Sequence, residues 1–339
     1  MLVKNRKKIG NIPKRILFLS LSGIILFFSF TAYRENVYSL ENIKVPYSDV
    51  DFSKVPATSN SDIIQSEIDQ RGYAVGIDLS YCQGDLNYDK LFLQNSDVKF
   101  CIIRVNNFWT DTSYSEEDLL NLIKDGNYSK VIDPDFLKQA LACKENNIPI
   151  GVYFWPTCKN ENRTRLETQI IINYLNYIRE NYGIYLELPV CIDIEKGDSD
   201  ELLSKLKTST GNALDCVQLT IDMLKENNYF PMIYCNEDSN NIIFKDNIIT
   251  GEKTRNFENV DVWFASHVND INSIEDLSSR IGDRYIKIIY GHGSVLAQVS
   301  DEAILLDSCC IDLDIMYKNL LLIVRESGLN YLDERGHKK

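Results

Sequence analysis

The chain has 339 residues, 44% of them hydrophobic, with 16 Gly and 8 Pro, a composition that supports a large folded core and excludes a collagen-like or disordered chain. Its formal net charge is −13, and residues 1–32 hold six basic side chains and no acid, so all 49 Asp and Glu stand in the remainder against 30 Lys and Arg. A body this acidic repels phosphate backbones, which excludes nucleic acid as a partner.

Residues 1–15 form a basic N-terminus, and 16–32 is an uncharged apolar run at the short end of what spans a bilayer. The basic cluster before it assigns 1–15 to the cytoplasm and the rest of the chain to the outside. A cleavable signal peptide is the alternative, but a cut after Ala32 places Phe30 at −3, where a small residue is needed. The expectation is therefore a single-pass membrane anchor, or a secreted protein if the segment is cleaved. Residues 33–72 are polar with little periodicity and read as a stalk, with one short helix around Asp62–Ile68.

From Ala74 onward apolar strands alternate with amphipathic helices, the pattern of parallel βαβ units. Strands are expected near 74–79, 99–105, 148–155, 188–194, 231–235, 260–266, 294–299 and 309–313. Helices are expected from Asp135 to Glu145, Arg165 to Tyr182 and Asn212 to Asn227, with a short one at Ser273–Arg280. The stretch 106–132, holding Phe108, Trp109 and Tyr114, interrupts the rhythm and reads as an insertion at a rim. The last three strands are expected to be joined mainly by loops, which gives an α/β fold of TIM-like (β/α)5(β)3 form over 73–323, followed by a polar tail at 324–339.

Three of these strands end in acids: Asp78 on the first, Asp193 and Glu195 on the fourth, and Asp312 on the last. Residues i and i+2 of a strand share a face, so Asp193 and Glu195 project together. Desolvating a carboxylate costs several kcal/mol unless it is compensated, so same-facing acids at the end of an apolar strand point to a cleft. Acids offered from the carboxyl ends of several strands are how a β/α barrel builds a site on its top face. Tyr153 and Trp155, and likewise Trp263 and Ala265, are spaced to share a face and offer aromatic walls for sugar stacking, with Tyr234 as a further candidate. Arg104 is expected to neutralise a cleft acid. The three His, at 267, 292 and 337, have no metal-ligand spacing, and no Walker, GxGxxG or GxSxG motif is present, so neither metal nor cofactor is expected. The nine Cys show no framework spacing and read as small buried hydrophobes with free thiols.

Gly76-Ile-Asp78-Leu-Ser80 with Gln83-Gly84, Phe100-Cys-Ile-Ile-Arg104, Asp133-Pro-Asp-Phe136, Gly151-Val-Tyr153-Phe, Asp193-Ile-Glu195, Pro231-Met-Ile-Tyr234, Trp263-Phe-Ala265, Gln298-Val-Ser and Ile311-Asp312-Leu together resemble, in order and spacing, the Chalaropsis-type lysozymes of glycoside hydrolase family 25. The resemblance covers 74–318. It implies a barrel that cleaves the β-1,4 bond between N-acetylmuramic acid and N-acetylglucosamine in peptidoglycan. Carried over by position, Glu195 matches the general acid and Asp193 the carboxylate that orients or stabilises the substrate acetamido group. Asp78 and Asp312 match the other two acids of the floor, and Gln298 falls among the substrate-binding positions. The family favours participation by the substrate's own N-acetyl carbonyl over attack by the protein. Two positions depart from the pattern: Phe154 stands where His is common and Asp314 where Asn is usual. A non-catalytic glycan-binding barrel and a glycosidase for another N-acetylated polymer are the alternatives.

Overall fold

The computed structural model describes residues 59–107, 114–195, 212–240, 243–244, 257–267, 271–280, 294–306 and 309–332. The basic N-terminus, the expected anchor at 16–32, and Phe108 and Trp109 lie outside them, and no helix among the described residues is long and apolar enough to cross a membrane.

Eight strands close into a barrel in sequence order: β1 (Ala74–Leu79), β2 (Val98–Arg104), β3 (Ile150–Phe154), β4 (Val190–Asp193), β5 (Pro231–Cys235), β6 (Asp261–Ala265), β7 (Ser294–Leu306) and β8 (Cys309–Met316). Neighbours from β1 to β7 run parallel, while β8 is antiparallel to both β7 and β1. Helices α1 (Ser59–Arg71), α2 (Tyr88–Gln94), α3 (Glu116–Asp125), α4 (Phe136–Glu145), α5 (Glu161–Tyr182), α6 (Asn212–Glu226), α7 (Glu237–Asn240), α8 (Ile274–Arg280) and α9 (Leu320–Ser327) complete the order.

The strands are apolar on both faces because each face is covered by a different partner. Val75, Ile77, Cys101, Ile103, Val152, Val190, Ile192, Ile233 and Val262 point outward into the core beneath the helices. Their alternates, including Ala74, Phe100, Ile102, Cys191, Met232, Tyr234, Trp263, Leu296 and Met316, fill the interior of the barrel. That period of two separates a structural layer from the layer that carries the chemistry.

The end of the barrel where the parallel strands begin is plugged. Ile64 of α1 packs with Leu320, Leu321, Ile323 and Val324 of α9 against the interior set. The Asn319 amide donates to the Ser61 carbonyl at 2.9 Å, and Arg325 reaches the Ser61 hydroxyl at 3.2 Å. The range read as a stalk, 33–72, thus ends in a helix that closes the barrel floor. The range read as a polar tail begins inside α9, and Asn330 and Leu332 beyond it are buried.

Other differences from the sequence reading have local causes. Part of the expected rim insertion is α3, started by a capping box in which Ser115 and Asp118 satisfy each other's backbone N–H and stopped by Gly126 in the left-handed region at φ 67°. It packs on α5. Strands β7 and β8 are longer than expected because they continue as a hairpin past the closed part of the sheet, pairing Ala303 with Ile311 and Leu306 with Cys309. Six of the nine cysteines are buried.

Two interior positions are under visible constraint. A Cβ on Gly76 would stand 2.2 Å from the ring of Phe100, itself fully buried, so the glycine makes room for that ring. Gly76→Ala should destabilise the protein by about 1–3 kcal/mol, the usual cost of overpacking, read as a lower urea midpoint. Asp261 opens β6 with no exposed surface, and burial raises its pKa to about 8 against the opposing pull of Lys318. A folded-state pKa above the unfolded value of about 4 means stability present at low pH and lost as pH rises toward 8. Asp261→Asn should therefore flatten the fall of the melting temperature across that window.

Candidate active site

At the mouth of the barrel, the inward positions change from apolar to polar: Asp78, Arg104, Tyr153, Asp193, Tyr234, Gln298 and Asp312 lie at or near the carboxyl ends of the parallel strands or on the adjoining part of β8. The register carries the ring around the mouth. Asp78 is paired with Asp312, Arg104 with Tyr153, Asp193 with Tyr234, and Ala265 with Gln298.

Gln298 ties this ring together. Its side-chain amide N–H groups donate to Asp78 Oδ2 at 2.8 Å and to Asp312 Oδ2 at 3.0 Å. Its carbonyl accepts the Tyr234 hydroxyl at 2.7 Å and lies 2.9 Å from His267 Nε2. Because the carbonyl oxygen can only accept, His267 presents a protonated Nε2 to it. His267 Nδ1 in turn lies 3.5 Å from Asp301. Rotating the amide by half a turn would aim its oxygen at two carboxyl groups, so Tyr234 and His267 fix the side from which the acids receive their donors.

Arg104 is not paired with a member of the predicted quartet. Its guanidinium meets Asp133 at 2.9 Å through both Nε and Nη2 and lies over the Tyr81 ring at 4.4 Å. Asp133 also accepts from the backbone N–H of Tyr81 and of Asp135. The positive charge still acts at a distance, offsetting part of the burial that raises Asp193.

The expected aromatic wall is rearranged. Trp263 is only 1% exposed, and its indole N–H donates to Asp314 Oδ1 at 2.8 Å. Its ring sits behind Tyr234 at 4.5 Å and edge-on to Tyr153 at 5.8 Å between centroids. Trp263 and the buried Tyr234 therefore back the cleft, leaving Tyr153, half-buried, as the aromatic face nearest the acids. Trp155 is one residue past the end of β3, where the strand alternation stops. It packs against the outer core, its backbone bonded to both ends of the Asn106 amide at 2.8 and 3.0 Å, and does not join Tyr153.

Burial dominates the electrostatics. It pushes Asp193 well above the usual carboxylate range, with repulsion from Glu195 adding to it, and it raises Glu195, where His267 pulls the other way. Asp312 is raised to about 6, by burial and then by Asp301. Asp78 and Asp314 are both raised, by burial and by the negative charge of Asp312. Neighbouring acids in one site titrate as a unit, so protonating one of Asp193 and Glu195 is favoured over ionising both. Glu195 is the more exposed of the two, while Asp193 Oδ1 is buried and has no hydrogen-bond donor among the described residues. No group of acids, His and Cys among the described residues has the arrangement of a metal site.

Three contributors had no site role assigned from sequence. Asp314 follows Asp312 by two residues, so strand periodicity alone places it on the same face. Asp133 stood in a motif without an assigned partner, and His267 carried no spacing signal at all.

No family model and no curated protein matches this sequence. Among solved structures, the chain is similar to the spore cortex lytic enzyme SleM of Clostridium perfringens, with 18% identity over 73% of this chain and 68% of that one and a TM-score of 0.48. It is also similar to a family 25 glycosyl hydrolase from Bacillus anthracis (17%, 74% and 91%, TM-score 0.46). A third is the catalytic domain of the endolysin ply40 from bacteriophage P40 of Listeria monocytogenes (16%, 74% and 97%, TM-score 0.49). At these identities and scores, function has to be read from the side chains of the cleft.

Removing Arg104 leaves Asp133 buried without its cation, and breaking a buried pair from one side typically costs about 3–5 kcal/mol. Arg104→Met should lower stability by that order in chemical denaturation, and Arg104→Met with Asp133→Leu should recover part of it.

Proposed function

We propose that this protein is a peptidoglycan hydrolase that cleaves the β-1,4 bond between N-acetylmuramic acid and N-acetylglucosamine. The observation that carries the reading is the pair Asp193 and Glu195 at the barrel mouth, two carboxyls in one desolvated site with their proton affinities raised. Glycoside hydrolysis needs a protonated acid for the leaving oxygen and negative charge near an oxocarbenium-like centre. A raised, partly exposed Glu195 suits the first role, because it keeps its proton nearer neutrality and is reachable by the glycosidic oxygen.

Asp193 suits the second. Its buried Oδ1 lacks a donor among the described residues, and a substrate acetamido N–H is a donor of the right kind. That hydrogen bond favours the ionised form of Asp193 and leaves the shared proton on Glu195. It also holds the acetamido group so that its carbonyl oxygen can attack the anomeric carbon as Glu195 protonates the leaving oxygen, with water completing hydrolysis in a second step. The Gln298 amide keeps Asp78 and Asp312 together beneath this pair, and Tyr153 offers a ring beside it. The ordered motifs over 74–318 support the same reading. An anchor at 16–32 would hold the barrel outside the membrane, facing the wall.

The test is incubation of the full chain with purified peptidoglycan, followed by mass spectrometry of newly formed reducing ends. Fragments ending in N-acetylmuramic acid are expected, and Glu195→Gln should lower their release at least ~10²-fold with folding intact. Glycan binding without cleavage would favour a scaffold barrel, and reducing-end N-acetylglucosamine would reassign the bond.

A further inference from the structure

Asp314 is fully buried in the barrel interior, below the proposed catalytic pair. The antiparallel pairing of β8 with β1 sets Asp314 opposite Gly76 and Asp312 opposite Asp78. Gly76 offers no side chain, and the next inward residue along β1 is Asp78. The carboxyl groups of Asp78 and Asp314 lie in hydrogen-bonding contact. Asp314 Oδ1 accepts the Trp263 indole N–H, but no N–H or hydroxyl donor among the described residues faces Asp314 Oδ2. Asp78 Oδ2 is already an acceptor for Gln298.

Two ionised carboxylates in contact have no hydrogen to share, and a buried oxygen without a donor costs about 1–3 kcal/mol, more when charged. One proton satisfies every atom in this arrangement. We propose that Asp78 and Asp314 share a single proton, carried by Asp78 and donated to Asp314 Oδ2, and that Asp314 is thereby a positioning residue that keeps Asp78 neutral. Its role in catalysis rests on the hydrolase reading above; the shared proton itself does not.

The surroundings favour holding that proton. Asp312 on β8 is a like charge acting on both acids, and the inward thiol of Cys191 on β4 feels them as well. Tyr153 and Tyr234 also feel Asp78, and neither supplies positive charge. Arg104 acts on Asp193 and Tyr153, and Trp263 and Gln298 contribute only neutral donors. Ionising both acids would thus set three carboxylates together in a desolvated interior, the situation in which acid dyads retain one proton. With Asp78 neutral, the negative charge of the floor resides on Asp312 and Asp314, and Asp78 is an oriented donor rather than a further anion beneath the substrate.

Asp314→Asn separates the alternatives. Its amide oxygen can still accept from Trp263 while its N–H donates to Asp78, so the pocket stays filled and Asp78 no longer needs a proton. Infrared difference spectra of the full chain at neutral pH, without substrate, should show a protonated carboxylic acid C=O band in the wild type. That same band should be lost in Asp314→Asn and, independently, in Asp78→Asn. Its persistence in either variant, or its absence from the wild type, would overturn the shared proton. With peptidoglycan as substrate, Asp314→Asn should displace the pH profile of kcat while circular dichroism is unchanged, and an unmoved profile would overturn the positioning role. Because the infrared measurement needs no turnover, its failure is distinguishable from failure of the hydrolase reading.

Discussion

Three aspartates, at 78, 193 and 314, lie buried in one barrel interior beside the partly exposed Asp312, and the cost of desolvating their charges governs how the rest of the mouth is built. They are compensated in different ways. Asp78 and Asp312 share the Gln298 amide, Asp314 takes the Trp263 indole N–H, and Asp193 feels the Arg104 charge without touching it. What those contacts leave uncompensated appears as raised proton affinity, so the same burial that strains the fold favours the protonated form of these acids, which is what the proposed hydrolase reaction requires. Glu195 differs because it stands where β4 has ended, closer to solvent, which suits the acid role proposed for it.

The interior donors are themselves supported. Gln298 can serve two acids only because Tyr234 and His267 occupy its carbonyl, and Trp263 can serve Asp314 only while it is turned inward behind Tyr153 and Tyr234. Residues that resemble sugar-stacking aromatics are thus largely the second layer that orients the carboxyl groups. Arg104 and Asp133 form a separate buried pair at the edge of this layer, linking the end of β2 to the segment that leads into α4. The opposite end of the barrel, sealed by α1 and α9, is apolar apart from a few bonded groups and the buried Asp261, which keeps the polar ring confined to the mouth.

The sequence by itself determined the strands, their order, the change from period two to helical period, and the acids at the strand ends, because these depend on local hydrophobic pattern and on residue spacing. It placed Asp78, Asp193, Glu195 and Asp312 together once a barrel was inferred, and the same spacing rule extends to Asp314. Only the tertiary structure decided the partners. Gln298 meets Asp78 across 220 positions of chain, and Arg104 reaches Asp133 in place of a cleft acid. Trp155 packs against the outer core, one residue past the end of β3, and α1 belongs to the barrel because its Ile64 has an apolar floor to cover. Pattern fixes which face a side chain takes within its own strand or helix. Barrel closure fixes what stands opposite it, and that depends on register, strand length and the directions of side chains far apart in sequence.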